Sequence, residues 1–192
     1  LACVLLAAGQ GTRMRSRTPK VLHEILGRTL LDWAVAACVE SGPDRMLVVV
    51  SPDAHAVRER LRDGVEAAVQ ERPLGTGDAV RAARAALEGF DGDVLVLYGD
   101  HPLTDPAALR DLRATHTDAG AAATVLTFER TETIGVDFGR IVRGAGGGIE
   151  RIVEVRDASA EELALTEVNS GIYVFRAADL WPVLDGLDTS ND

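Results

Sequence analysis

Val4-Leu5-Leu6-Ala7-Ala8-Gly9-Gln10-Gly11-Thr12-Arg13-Met14 runs from a short apolar stretch straight into a turn carrying two glycines. Val4 to Ala8 reads as a strand, and the same texture recurs down the chain. Leu30, Leu31, Ala34, Val35, Cys38 and Val39 repeat at helical spacing, and Ser41-Gly42-Pro43 ends that helix. Met46 to Val50 is a continuous apolar run, the pattern of a strand covered on both faces. Asp53 is placed to cap a helix through Leu61, and Val65 to Val69 is a shorter strand. Gly77 opens a helical stretch over Asp78 to Leu87, and Val94 to Leu97 is another buried strand. Asp105-Pro106 starts a helix through Ala114, with proline at its first position. Five such alternations before residue 130 predict right-handed βαβ units. They define a Rossmann-like, doubly wound α/β fold with a mainly parallel sheet.

Past that point the texture changes. Ala122 to Phe128, Gly139 to Val142, Ile149 to Val155 and Val168 to Phe175 are strand-like, with only short helices between them. This predicts a β-rich lobe added to the core within one domain spanning residues 1–192. The first residue is not Met and Thr189-Ser190-Asn191-Asp192 reads as mid-loop, so a trimmed piece of a longer chain is expected.

The composition narrows the partners. Hydrophobic residues make up 46% of the chain and charged residues 26%, as in globular domains. The formal net charge of −10 argues against a nucleic-acid surface and against an anionic membrane surface. No run reaches the roughly 18 to 20 apolar residues of a membrane span. Leu1 to Ala8 lacks the basic flank of a signal peptide, so a cytoplasmic location is expected. Cys3 and Cys38 sit in apolar settings and read as buried residues of a reducing compartment. Trp33 and Trp181 read as packing residues, and His23, His55, His101 and His116 have no metal-ligand spacing.

Ligands of open parallel sheets bind beyond the carboxyl ends of the strands, so the turn after the first strand is where chemistry is sought. Gly9 and Gly11 let backbone N–H groups approach phosphate oxygens, and Thr12 adds a hydroxyl. Arg13, Arg15, Arg17 and Lys20 gather four cations within eight residues of an acidic chain. Lys20 is its only lysine, the other 19 basic residues being Arg, and a compact ammonium suits phosphate contact. The plain alternative is a strand-to-helix turn that uses glycine for geometry alone. A dinucleotide fingerprint is disfavoured, because Met14 holds the third glycine position and Arg13 to Pro19 does not read as a helix. No Gly-Lys-Ser/Thr of a Walker loop follows.

Further motifs come in order: Gln70 with Pro73-Leu74-Gly75-Thr76-Gly77, Tyr98-Gly99-Asp100-His101-Pro102-Leu103, Phe138-Gly139-Arg140-Ile141, Ile152-Val153-Glu154 and Val168-Asn169-Ser170-Gly171-Ile172-Tyr173. With Leu6 to Met14 and Pro19-Lys20-Val21-Leu22, the set resembles the sugar-phosphate nucleotidyltransferases over the whole chain. Within them it is most similar to the uridylyltransferase domain of the bifunctional bacterial GlmU family. That resemblance implies the nucleotide-diphospho-sugar transferase fold and a Mg²⁺-dependent reaction of UTP with N-acetylglucosamine 1-phosphate. The products would be UDP-N-acetylglucosamine, a cell-wall precursor, and pyrophosphate.

The resemblance also implies roles. Leu6, Ala7, Ala8, Gly9, Gln70, Gly75, Thr76, Tyr98 and Gly99 would hold the nucleotide, Arg13 the leaving pyrophosphate, and Lys20 the phosphates near the reacting centre. Asp100 would hold Mg²⁺, and Gly139, Glu154 and Asn169 the sugar. The chemistry of each residue type agrees. Gln70 offers an amide donor and acceptor to the imide edge of uracil. Thr76 stands beside the base or caps a helix, and Asp100 is a hard carboxylate at a strand end, where a turn cap is the plain alternative. Glu154 and Asn169 offer hydrogen bonds to sugar groups, or are solvated strand residues. Asp78 stands where relatives often carry His and receives no role. The family's second metal ligand, an Asn, is expected beyond Asp192. So is a left-handed β-helix acetyltransferase domain through which the full-length protein would form a homotrimer. Two rivals remain open: a sister transferase using another nucleotide or sugar, and a non-catalytic nucleotide-sugar-binding module.

Overall fold

Strand β1 (Ala2–Leu6) is buried along its whole length because it lies between two parallel neighbours. The computed structural model describes residues 1–9, 11 and 14–187. These divide into two compact units, one formed by Leu1–Thr124 with the segment from Tyr173 onward, the other by Val125–Ile172.

In the first unit, a small hairpin of β2 (Glu24–Ile25) and β3 (Arg28–Thr29) leads into α1 (Leu30–Val39). Thr29 caps α1, its hydroxyl oxygen accepting from the Asp32 N–H at 3.0 Å. Strand β4 (Arg45–Val50), the single-turn α2 (His55–Arg58), β5 (Val65–Val69), α3 (Thr76–Ala82), β6 (Asp93–Tyr98) and α4 (Pro106–Ala119) follow. The parallel strands are ordered β5-β4-β1-β6, with Leu6 level with Val49 on one side and Tyr98 on the other. Alternation sends Ala2, Val4 and Leu6 to one face, where they meet Leu47, Val49, Val94 and Val96 under α3. The terminal helix α6 (Ala177–Asp185) completes that layer with Ala177, Leu180 and Leu184, and Trp181 packs against it.

In the second unit, β7 (Ala123–Glu129, from Val125 on), β8 (Arg140–Arg143) and β9 (Ile149–Val153) precede a short helix, α5 (Ala160–Leu163). Strand β10 (Glu167–Arg176) closes the list of strands. Its first half pairs antiparallel with β8 at Val168–Arg140, and β8 pairs with β9. Its last residues, Tyr173 to Arg176, belong to the first unit and run antiparallel to β6.

Several boundaries differ from the sequence reading. Asp53 does not cap α2: its carboxylate accepts from the Ser51 hydroxyl at 2.7 Å, and the helix starts from Ala54 without a side-chain cap and stops at Arg58. Helix α3 begins two residues before Asp78, from Gly75 rather than Gly77, and a 3₁₀ turn over Ala85–Leu87 replaces its last stretch. Thr76 is the first helical residue, so the cap position is Gly75, whose φ of 102° suits glycine. Helix α4 runs five residues past Ala114, because buried His116 continues the face of Leu109 and Leu112 and bonds Thr124 at 2.8 Å. Trp33 lies outside the core. Its indole N–H donates to the Ile25 carbonyl at 2.9 Å, and Arg28 stacks 4.4 Å above the ring. Cys3 and Cys38 are buried and free.

Candidate active site

The carboxyl ends of β1, β5 and β6 converge because backbone bonds extend the sheet one residue beyond each strand. The Ala7 N–H donates to the Val49 carbonyl at 2.8 Å, the Gly99 N–H to Leu6 at 2.9 Å, and the Gln70 N–H to Val50 at 2.9 Å. They frame a cavity of about 480 Å³. Leu6, Ala7, Ala8, Gly9, Lys20, Gln70, Gly75, Thr76, Tyr98 and Asp100 all line it. Gly99 does not, being packed against Leu31 and Ala7 behind the wall. Arg13, Thr12 and Gln10 lie outside the described residues. Arg15 and Arg17 are exposed and do not line the cavity. The apolar walls Met14, Val21 and Ala79 were not among the expected site residues.

Lys20 begins a 3₁₀ turn, Lys20–Leu22, whose Val21 and Leu22 are buried and so anchor it. Its ammonium pairs with the Asp100 carboxylate, which is only 18% exposed. Gly11 approaches from the loop at φ 58°, and a Cβ there would stand 2.8 Å from the Cβ of Lys20. The glycine is thus required both by its left-handed backbone and by the lysine packed against it. Beside Asp100, the His101 ring lies 5.0 Å from that of Tyr98. Burial lowers the His101 pKa; the Asp100 carboxylate opposes that effect and Lys20 adds to it. Among the described residues no three His, Cys, Asp or Glu side chains gather as a metal cage.

Gln70 is 7% exposed and differs in one respect from its expected use. Its Nε2 donates to the Gly75 carbonyl at 3.1 Å and to the Asp78 carboxylate at 2.9 Å. Both amide hydrogens are therefore taken inside the protein, and the side chain has no donor left for a ligand.

The second unit brings its own three candidates together. The Asn169 N–H donates to the Gly139 carbonyl at 2.9 Å, and a Cβ on Gly139 would sit 3.1 Å from Oε1 of Glu154. The Asn169 side-chain oxygen accepts from the Gly171 N–H at 2.9 Å, which fixes its amide and leaves the NH₂ group free of that bond. Arg140, 3% exposed, braces the preceding turn by donating to the Phe138 and Val136 carbonyls.

The family model of the MobA-like NTP transferase domain matches residues 3–187. The chain belongs to that family. Among curated relatives, the bifunctional protein GlmU of Geobacter metallireducens is 45% identical over 193 residues, covering all of this chain and 40% of the relative. The bifunctional protein GlmU of Trichlorobacter lovleyi is 48% identical over 174 residues, 90% of this chain and 37% of the relative. The chain thus spans about 40% of the length of the relatives it matches. A crystal structure of UDP-glucose pyrophosphorylase complexed with UDP-glucose superposes with a TM-score of 0.79, over 97% of this chain and 80% of that one, at 18% identity. The α/β fold with a mainly parallel sheet, predicted from the alternation of strands and helices, is therefore shared with that UDP-glucose pyrophosphorylase. No described helix of this NTP transferase domain is long and apolar enough to cross a membrane.

Proposed function

We propose that the chain is the uridylyltransferase part of a bifunctional enzyme, joining N-acetylglucosamine 1-phosphate to UTP with release of pyrophosphate. The observation that carries this reading is the meeting of Lys20, Asp100 and Gln70 at one cavity beyond the strand ends. The likeness to bifunctional GlmU proteins supports the choice of substrates. UDP-N-acetylglucosamine for cell-wall synthesis, a cytoplasmic location, and an acetyltransferase region that assembles the whole protein as a trimer belong to the same proposal.

The sugar phosphate brings an anionic oxygen as nucleophile, so attack on the α-phosphorus needs no general base. Alignment and charge neutralisation are the remaining tasks. Lys20 supplies a positive charge at the cavity wall, and Gly9 and Gly11 of the loop line the same space. Among the described residues lining the cavity Asp100 is the one carboxylate, and it fits Mg²⁺, which takes one or two carboxylates plus substrate phosphates. Asp100 would hold the ion, which when bound would neutralise charge on the triphosphate. Lys20 then exchanges its carboxylate partner for phosphate. Arg13 is proposed to steady the leaving pyrophosphate, and Gly139, Glu154 and Asn169 to hold the sugar.

Lys20→Ala should lower turnover of UTP and N-acetylglucosamine 1-phosphate by about a hundredfold or more, the scale of losing a preorganised charge at a reacting centre. The thermal midpoint should stay near that of the wild type, because the side chain is 43% exposed. Pyrophosphate release measures the first and calorimetry the second. Near-normal turnover in this variant overturns the assignment.

A further inference from the structure

Gln70 meets the cavity with only one orientation open to its amide. The groups that hold it, the Gly75 carbonyl and the Asp78 carboxylate, are both acceptors. Turning the amide over would set Oε1 against two oxygens. In the orientation observed, Oε1 has no hydrogen-bond partner among the described residues. It is also not sealed away from solvent, although the residue as a whole is buried. Asp78 is held in turn by Arg81, one turn further along α3, whose guanidinium meets Oδ1 while Oδ2 serves Gln70. Asp78 and Arg81 line a second groove beside Leu74 and Ala82, which Gln70 also borders, and neither of the two lines the cavity.

We propose that Asp78 is a positioning residue that locks Gln70 as a one-way acceptor and thereby sets which base the cavity takes. This rests on the nucleotidyl-transfer reading above. A base with a ring N–H at the edge being read, as uracil has at N3, supplies the hydrogen that Oε1 lacks. Cytosine presents a bare lone pair at that position and would be accommodated only by turning the amide over. The clamp blocks that turn. Discrimination against cytidine nucleotides is then set by a side chain outside the cavity.

The experiment is equilibrium binding of UTP and of CTP, by titration calorimetry, to the full chain as wild type, Asp78→Asn and Asp78→Leu. Asn matches Asp in shape, and its amide can donate to a turned Oε1, so the UTP-over-CTP preference should fall by about tenfold in Asp78→Asn. Asp78→Leu should weaken UTP binding more than CTP binding. A merely structural role for Asp78 would lower both affinities together and leave their ratio where it was. A ratio in Asp78→Asn within about twofold of the wild type overturns the clamp and leaves the proposed activity standing. A wild-type chain that binds neither nucleotide, or binds both equally, overturns the clamp together with the uridylyl reading.

Discussion

Gly11 shows how much one missing Cβ controls. Its backbone lies in the left-handed region at φ 58°, and any side chain would press on Lys20. Gly11→Ala adds about 1 to 2 kcal/mol of backbone strain and must displace the lysine or the loop. UTP turnover in this variant should fall by about tenfold, since small misplacements of charged groups are costly near a reacting centre. Unchanged pyrophosphate release would show that the loop adapts without moving Lys20. At this scale the sequence was informative where a residue type was rare or misplaced, a solitary lysine and an acid ending an apolar strand, while Gln70 stood out only through the family resemblance of the motif it begins. Those three side chains line one cavity. Asp78 was illegible, because its part is to orient another side chain across one helical turn. Met14, Val21 and Ala79 were illegible for the opposite reason, since apolar residues of their kind occur throughout the chain.

Among the elements, strands were easier to foresee than helices. Continuous apolar runs left little choice for β4 and β6. Helix α1 also came out with its predicted bounds, because its period is apolar throughout and Thr29 caps it. Helix α4 was cut short in the reading because its face continues through a histidine, which carries no hydrophobic signal. Helix α6 was not foreseen, since Pro182 in its middle reads as a breaker. Helix α5 depends on electrostatics that periodicity does not register. Ser159 and Glu162 form a capping box, with Arg151 2.7 Å from the Glu162 carboxylate. The backbone N–H of Ser159, then Arg151, lower the Glu162 pKa from 4.5 to about 2. A depressed carboxylate stabilises the fold above its unfolded value and loses that contribution as pH falls through its folded value. The thermal midpoint of the wild type should therefore exceed that of Glu162→Gln above pH 4.5, with the gap closing as pH approaches 2. A gap independent of pH over that range would rule out the ion as its source.

The whole molecule carries a formal net charge of −10, while its proposed ligand is a polyanion. Lys20 acts at contact range, but the approach from solution is governed by the sum of charges. Screening shortens from about 30 Å at 0.01 M salt to about 8 Å at 0.15 M. The association rate of UTP should accordingly rise with salt across that interval in stopped-flow measurements, opposite to the fall expected of a basic binding surface. A falling rate would mean that the local cations dominate even at distance. At this scale the parallel strands were legible in the alternation of elements, but the path of the chain was not. No local pattern announces that it leaves the first unit at Thr124 and returns at Tyr173, because both points fall inside strands, β7 and β10. That return has a consequence during synthesis. As the polypeptide leaves the ribosome, β6 emerges with one edge unpaired, and the layer that Leu180 and Leu184 will cover stays open. Some 75 further residues must be translated before β10 and α6 arrive, about 4 to 15 seconds at ordinary elongation rates. For that interval an exposed strand edge is a template for any other nascent chain nearby, a risk of aggregation that the folded chain removes by pairing β10 with β6.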